Sequence, residues 1–245
     1  LAKPLVQDEA RLLGEDHADT LQARTFVAQA LMQQYRNEPA VAALTDLLAR
    51  VERVYGPAHP RTLQILGSRM ESFKNMERYP EARADGERLW KTATESLGPG
   101  SFYAVGSRLD LARVLCRAGD TGAGLDHAKA AWRASVTAFG PHAPLTDGVR
   151  HGVADCLLAS GRPADALPWL QGIDRKAVGE LVGNAEWGLH VELLEAEIAA
   201  RTGHPDEARR HFAAAKPAFD ELLTDGYEVR RIARIEAAMG GAANG

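Results

Sequence analysis

Imidazoles in a row can ligate a metal or relay a proton, and this sequence sets His17, His59 and His142 in similar surroundings, each two or three residues after a glycine. One zinc ion needs its ligands within about 2.0 to 2.3 Å, whereas neighbouring helical units stack roughly 10 Å apart. A row of histidines on successive units cannot share one metal, so the three read as parts of turns. Glu192, Glu195 and Glu197 stand with His190 in one short run, but a helical metal pair wants two histidines at i and i+4, and no such pair occurs. These carboxylates read as a solvated or groove-lining face. His204 and His211, seven apart, share a helix face with no evident further ligand, which favours a structural or surface role. The run from Gly119 to Gly124 imitates a phosphate loop, yet lacks the preceding strand and the lysine that such a loop uses. Cys116 and Cys156 are too few for a disulfide framework and are not spaced as metal pairs, so they read as two buried thiols on helices. No Ser/His/Asp or Cys/His set emerges. The expectation is a chain with no catalytic residue, no cofactor and no metal, and hence not an enzyme.

The composition narrows the partners. A chain of 245 residues, 45% hydrophobic and 25% charged, has the make-up of a soluble folded protein with a sizeable core. A net charge of −4 lacks the basic excess that draws nucleic acid or an anionic membrane. No apolar run approaches the roughly 18 to 20 residues that cross a bilayer. Neither a nucleic-acid partner nor membrane insertion is expected. The opening run, with Leu5, Ala10, Leu12 and Leu13 and no initiator methionine, reads as the end of a preceding helix over residues 1–13, and as a piece of a longer protein.

What positions these residues is a repeat. Gly14, Gly56, Gly98 and Gly140 stand at intervals of 42, and a weaker copy places Gly183 one residue late. Other positions recur in the same register. Twenty-six residues after each junction position stand Ala40, Ala82, Gly124, Ala166 and Ala208, small residues suited to a tight helix crossing. Gly119, Gly161 and Gly203 repeat inside the last three copies, and Trp90 and Trp132 are 42 apart, a spacing that inter-unit packing explains. With Ala, Leu, Arg and Glu abundant and no sustained period-2 alternation, each unit reads as helix A of about 17 to 20 residues, a short break, and helix B of similar length. The segment Tyr55-Gly56-Pro57-Ala58-His59-Pro60 joins one unit to the next: Gly56 takes a left-handed C′ conformation, Pro57 stops the helix, and Pro60 starts the following one. His59 sits where its ring can cap that helix.

The 42-residue helix-turn-helix unit with Gly-x-x-His-Pro at its junction and a small residue on helix B resembles the tetratricopeptide repeat, in the longer form of kinesin light chains. The resemblance spans residues 14–223 and is fullest at Gly14–Leu21 and Gly56–Leu63. Where that family has an Asn-Asn-Leu-Ala run in helix A, this chain has Thr25-Phe26-Val27-Ala28 and Gly67-Ser68-Arg69-Met70 in the first two copies. HEAT and armadillo repeats, of similar period, are the structural alternative. The expected fold is all-α, a right-handed α-solenoid of about five hairpins (near 14–55, 56–97, 98–139, 140–181 and 182–223), with a capping helix over 224–239 and a disordered tail over 240–245. In the final helix Val229, Ile232, Ile235 and Met239 form the apolar side, with Arg230, Arg231, Arg234 and Glu236 elsewhere.

The resemblance implies a groove lined by helix A residues, here Gln29, Gln33, Lys74, Asn75, Arg113, Arg117, His151 and Asp155, with His190, Glu197 and Arg201 in the last copy. Lys74, Arg113 and Arg117 suit an acidic side chain or a C-terminal carboxylate. The expected role is a non-catalytic protein-interaction domain, cytoplasmic or periplasmic, of a larger bacterial signalling protein such as a serine/threonine kinase. Self-association into a homo-oligomer is the alternative.

Overall fold

The computed structural model describes residues 2–184, 187–222 and 226–241, and among these it contains thirteen helices and no strand. The chain divides into two compact units, Leu1–Gly98 and Pro99–Gly245. The first holds α1 (Ala2–Leu13), α2 (Ala18–Gln33), α3 (Asn37–Tyr55), α4 (Pro60–Asn75) and α5 (Tyr79–Leu97). The second holds α6 (Phe102–Arg117), α7 (Thr121–Phe139), α8 (Pro144–Ala159), α9 (Pro163–Leu170), α10 (Arg175–Val182), α11 (Trp187–Arg201), α12 (Pro205–Leu222) and α13 (Gly226–Gly241). The boundary falls at a junction glycine. In each unit the A helices (α2 and α4; α6, α8 and α11) alternate with B helices, as expected of an all-α solenoid.

The junctions explain the histidines. Gly56, Gly98 and Gly140 end their helices at φ of 86°, 87° and 95° with ψ of 165°, 152° and 162°. This is not the left-handed helical region expected from the sequence but an extended conformation at positive φ, which is open essentially to glycine alone. His59 Nδ1 then accepts the Arg61 backbone N–H at 3.2 Å, and His17 Nδ1 accepts that of Asp19 at 3.3 Å. Both are N-caps. Ser101 does the same work for α6, and Ala143 stands at the start of α8, leaving His142 outside the cap. Thr62 and Thr146 brace the turn from beneath, donating to the carbonyls of Gly56 and Gly140 at 2.8 Å.

The turn inside each hairpin also needs positive φ. Gly119, Gly161 and Gly203 supply it in the later copies, while Tyr35 (φ 51°) and Glu77 (φ 59°) hold the equivalent places in the first two. A side chain in this region costs about 1 to 2 kcal/mol. Glu77→Gly is therefore expected to stabilise the first unit by about 1 kcal/mol, read as a raised urea midpoint, because the relief exceeds the entropy that glycine adds to the unfolded chain. An unchanged or lowered midpoint contradicts this account of the turn.

Helix pairs close on small residues. Ala40, Ala82, Ala166 and Ala208 are fully buried. At Gly124 an added Cβ would lie 2.4 Å from Cys116 Sγ and 2.9 Å from both Ala112 O and Cys116 N. Backbone atoms cannot swing aside. Gly124→Ala should destabilise the second unit by about 1 to 3 kcal/mol, outweighing the helix propensity it gains; a neutral result in chemical denaturation would mean that α6 and α7 can separate freely. The first unit packs Leu21, Leu44, Leu47, Leu63, Ile65, Leu66 and Met70 into its core. The second centres on α8, whose Val153, Ala154, Cys156, Leu157 and Leu158 meet Val191, Leu194 and Ile198 of α11. Trp132 and Trp169, on the B helices α7 and α9, meet edge to face at 5.0 Å.

Three expectations change. Helix B of the fourth hairpin is not one long helix but α9 and α10, eight residues each. The break sits at Gln171 to Asp174, where Gly172 has φ 72° and Asp147 accepts the Asp174 N–H at 2.9 Å. Proline alone does not break it, since α12 runs through Pro217. Next, Cys116 and Cys156 are joined as a disulfide between α6 and α8, with Cα atoms 5.5 Å apart, and are not free thiols. Finally, helix α13 continues through Gly240 to Gly241, into the expected tail, while 242–245 lie outside the described residues.

Candidate partner-binding face

Within each unit, equal positions in the repeat point the same way from successive A helices. Gln29, Glu71, Arg113, Asp155 and Glu197 form one such series at intervals of 42. In the first unit Gln29 and Gln33 lie on α2, Lys74 and Asn75 on α4. Lys74 is buried and bound to Glu71 at 2.5 Å, while Gln33 is exposed and Gln29 and Asn75 are half-buried. In the second unit Arg113, Arg117, His151 and Asp155 come together with His190 and Glu197 on the shared face of α6, α8 and α11. Arg113 Nη2 lies 3.5 Å from His151 Nδ1, and the His151 ring meets Trp187 edge to face at 5.2 Å.

This face is occupied by the chain's own α13. Arg231 bonds Glu197 through Nε at 2.8 Å and Asp155 through Nη2, so that two equal-register carboxylates share one guanidinium. Arg117 lies with its guanidinium carbon 3.8 Å from the Tyr227 ring centroid and donates to Glu228 at 3.4 Å. Arg234 reaches Glu197 at 3.2 Å. Behind these charges Ile232 and Ile235 pack on Leu193, Ala196, Phe212, Ala215 and Phe219. The expected apolar side of α13 is thus present in Ile232 and Ile235, but Val229 is exposed, and Arg231, expected on the outer side, is only 4% exposed. Sequence reasoning missed Arg231. The signal was indirect: Asp155 and Glu197 share a register, and two carboxylates brought to one place need a cation.

Burial shapes the charges here. It pushes the His151 imidazole down to about 3, helped by the charge of Arg113, and so keeps the ring neutral. Burial alone would raise Asp155, but Arg231 and Arg117 overcome it and hold the carboxyl well below its usual range. Arg231 is held strongly protonated: burial opposes its charge, and Asp155 and Glu228 outweigh that. His190, half-buried beside them, is lowered mainly by burial.

A second cluster joins residues that the sequence kept apart. Glu192, Glu195 and His211 bring ligand atoms within 4.8 Å of one another. His211 Nδ1 lies 2.6 Å from Glu192, and Arg175 bonds both carboxylates, reaching Glu195 at 2.8 Å. Burial raises the Glu192 carboxyl, but the His211 hydrogen bond and Arg175 more than reverse this. A cation would have to displace the guanidinium, so the group acts as an ion-pair clasp between α10, α11 and α12.

Residues 20–61 match the family model described as tetratricopeptide repeat. No curated protein matches the chain. Among solved structures it resembles a kinesin-light-chain-type protein of Podosopora anserina with nearly identical TPR-like repeats, at 16% identity and TM-score 0.60 over 85% of this chain and 99% of that one. A Rap protein complexed with competence and sporulation factor aligns at 12% identity and TM-score 0.67, over 94% of this chain and 66% of that one. BtubC (BKLC) of P. vanneervenii aligns at 15% identity and TM-score 0.60, over 98% and 90%. Residues 20–61 thus match the tetratricopeptide repeat in sequence, and the chain shares its fold with repeat structures of the kinesin-light-chain type.

Proposed function

We propose that the chain is a non-catalytic protein-interaction module that binds a peptide or protein segment on the faces of its A helices. The observation that carries this reading is the seat of α13: the face of α6, α8 and α11 already accepts a helix through paired charges and an apolar seam. One protein of the same fold was solved with a factor bound. We place the module in a larger bacterial signalling protein, with a serine/threonine kinase as the expected attachment, and take Arg113 and Arg117 as the groups that receive an acidic side chain. The Cys116–Cys156 disulfide favours an oxidising compartment.

The test is affinity capture with the wild-type chain and with a variant carrying Gln33→Ala, Asn75→Ala and Arg113→Ala. Proteins enriched on the wild type should be lost from the variant while its circular dichroism stays helical. Equal capture by both would remove the A-helix faces as the binding surface. Self-association remains a second reading because Leu12, Leu13 and Phe26 expose apolar surface on α1 and α2. Sedimentation over a range of concentrations decides it: a dimer dispersed by Phe26→Ser supports this reading, and a monomer throughout ends it.

A further inference from the structure

A helix that only closed the end of a repeat stack would need an apolar seam and a polar outer side. Helix α13 has that seam in Ile232, Ile235 and Met239. Its amino-terminal half does something else. Tyr227, Glu228 and Arg231 reach residues of three different A helices: Arg117 on α6, Asp155 on α8 and Glu197 on α11. Buried ion pairs contribute little net stability, because desolvation offsets their attraction, and apolar side chains of similar size do as well or better. What such pairs provide is selectivity for an occupant of matching charge. The fit is also incomplete. Beside α13 a cavity of about 220 Å³ remains open to solvent, lined by Arg117, Leu158, Glu197, Arg201, Tyr227 and Arg234.

We propose that α13 is an exchangeable resident of this face, and that the partner is an amphipathic helix of another protein bearing an arginine three residues after a glutamate. The arginine takes the place of Arg231 between Asp155 and Glu197, and the glutamate that of Glu228 on Arg117. A further side chain of the partner fills the cavity that α13 leaves, which gives the partner the advantage over the resident helix. The inference rests on the proposed function and names both the partner's chemistry and its internal competitor. Partner affinity is then set by the fraction of molecules in which α13 has left its seat.

The test uses the full chain and, as probe, a labelled synthetic peptide with the sequence of residues 226–241. Arg231→Glu places a third carboxylate against Asp155 and Glu197 and should unseat α13. The peptide is expected to bind this variant at least tenfold more tightly than it binds the wild type, and a peptide carrying the same Arg→Glu change should bind neither. Equal affinity for both proteins, or none for either while the variant keeps its helical circular dichroism, overturns the proposal. Hydrogen exchange on the wild type keeps the question open to refutation if the variant fails to fold. Amides of α13 exchanging at least a hundredfold faster than those of α8 support an exchangeable resident, and equal protection refutes it. Should the wild-type chain instead dimerise in sedimentation, and the Arg231→Glu variant not, the occupant is α13 of a second copy and the partner named here is wrong. Loss of this inference leaves the capture experiment intact, since that experiment rests on Gln33, Asn75 and Arg113 and not on the release of α13.

Discussion

Lowering the pH from 7 to 4 is expected to weaken the second unit by roughly 3 kcal/mol through His151 alone. The ring is buried in the folded state and titrates at about 3 there, against an ordinary value of 6.5. The unfolded chain therefore takes up the proton first. The contribution is fully present above about pH 6.5 and drains as pH falls toward the folded value, at about 1.4 kcal/mol per unit. Every group facing the ring acts in a known direction: Arg113, His190 and Arg231 oppose its protonation, and Asp155 favours it. His190 is lowered too and adds to the same trend. The measurement is a series of urea titrations between pH 4 and 7 on the wild type and on His151→Gln. The variant should lose about one proton's worth of slope across this window, and parallel profiles would mean that the ring is hydrated.

Reducing the Cys116–Cys156 bond should cost about 4 kcal/mol, the loop-closure value for the 40 residues between its ends. Both ends lie on A helices within the main buried cluster of the second unit, and the cross-link spans the whole of α7 between them. The expected result is a single unfolding transition in oxidised protein that moves to lower urea with a thiol reductant. Cys116→Ala with Cys156→Ala should reproduce the shift and be indifferent to reductant. Two titratable thiols in unreduced protein, or a midpoint that ignores the reductant, would return the pair to its reading as buried thiols.

The repeat made most of the fold legible. Junction glycines at a 42-residue interval and fully buried Ala40, Ala82, Ala166 and Ala208 located the hairpins, because a turn at positive φ and a close helix crossing each restrict the residue type that fits. The histidine caps were legible for the same reason. The disulfide was not, and its register explains why. Two A helices lying side by side present opposite flanks to each other, so contacting residues sit at different repeat positions, and Cys116 and Cys156 are 40 apart instead of 42. Residues at equal positions point together to the face that α13 covers instead, which is how Asp155 and Glu197 meet at Arg231. The occupant itself could not be read, since helical periodicity places Arg231 beside the apolar seam without saying what it faces. The division of the fourth B helix was hidden because Pro168 sits inside α9, while the break comes later, at Gly172.

The central claim is that equal-register side chains of α6, α8 and α11 form one charged face, and that α13 occupies it through Arg231. A double-mutant cycle between Asp155→Asn and Arg231→Gln, read by urea unfolding, tests this most directly, because the two residues are 76 apart in sequence. A coupling of about 1 to 3 kcal/mol is predicted. Additivity within about 0.3 kcal/mol, the behaviour of sites that do not touch, would contradict it.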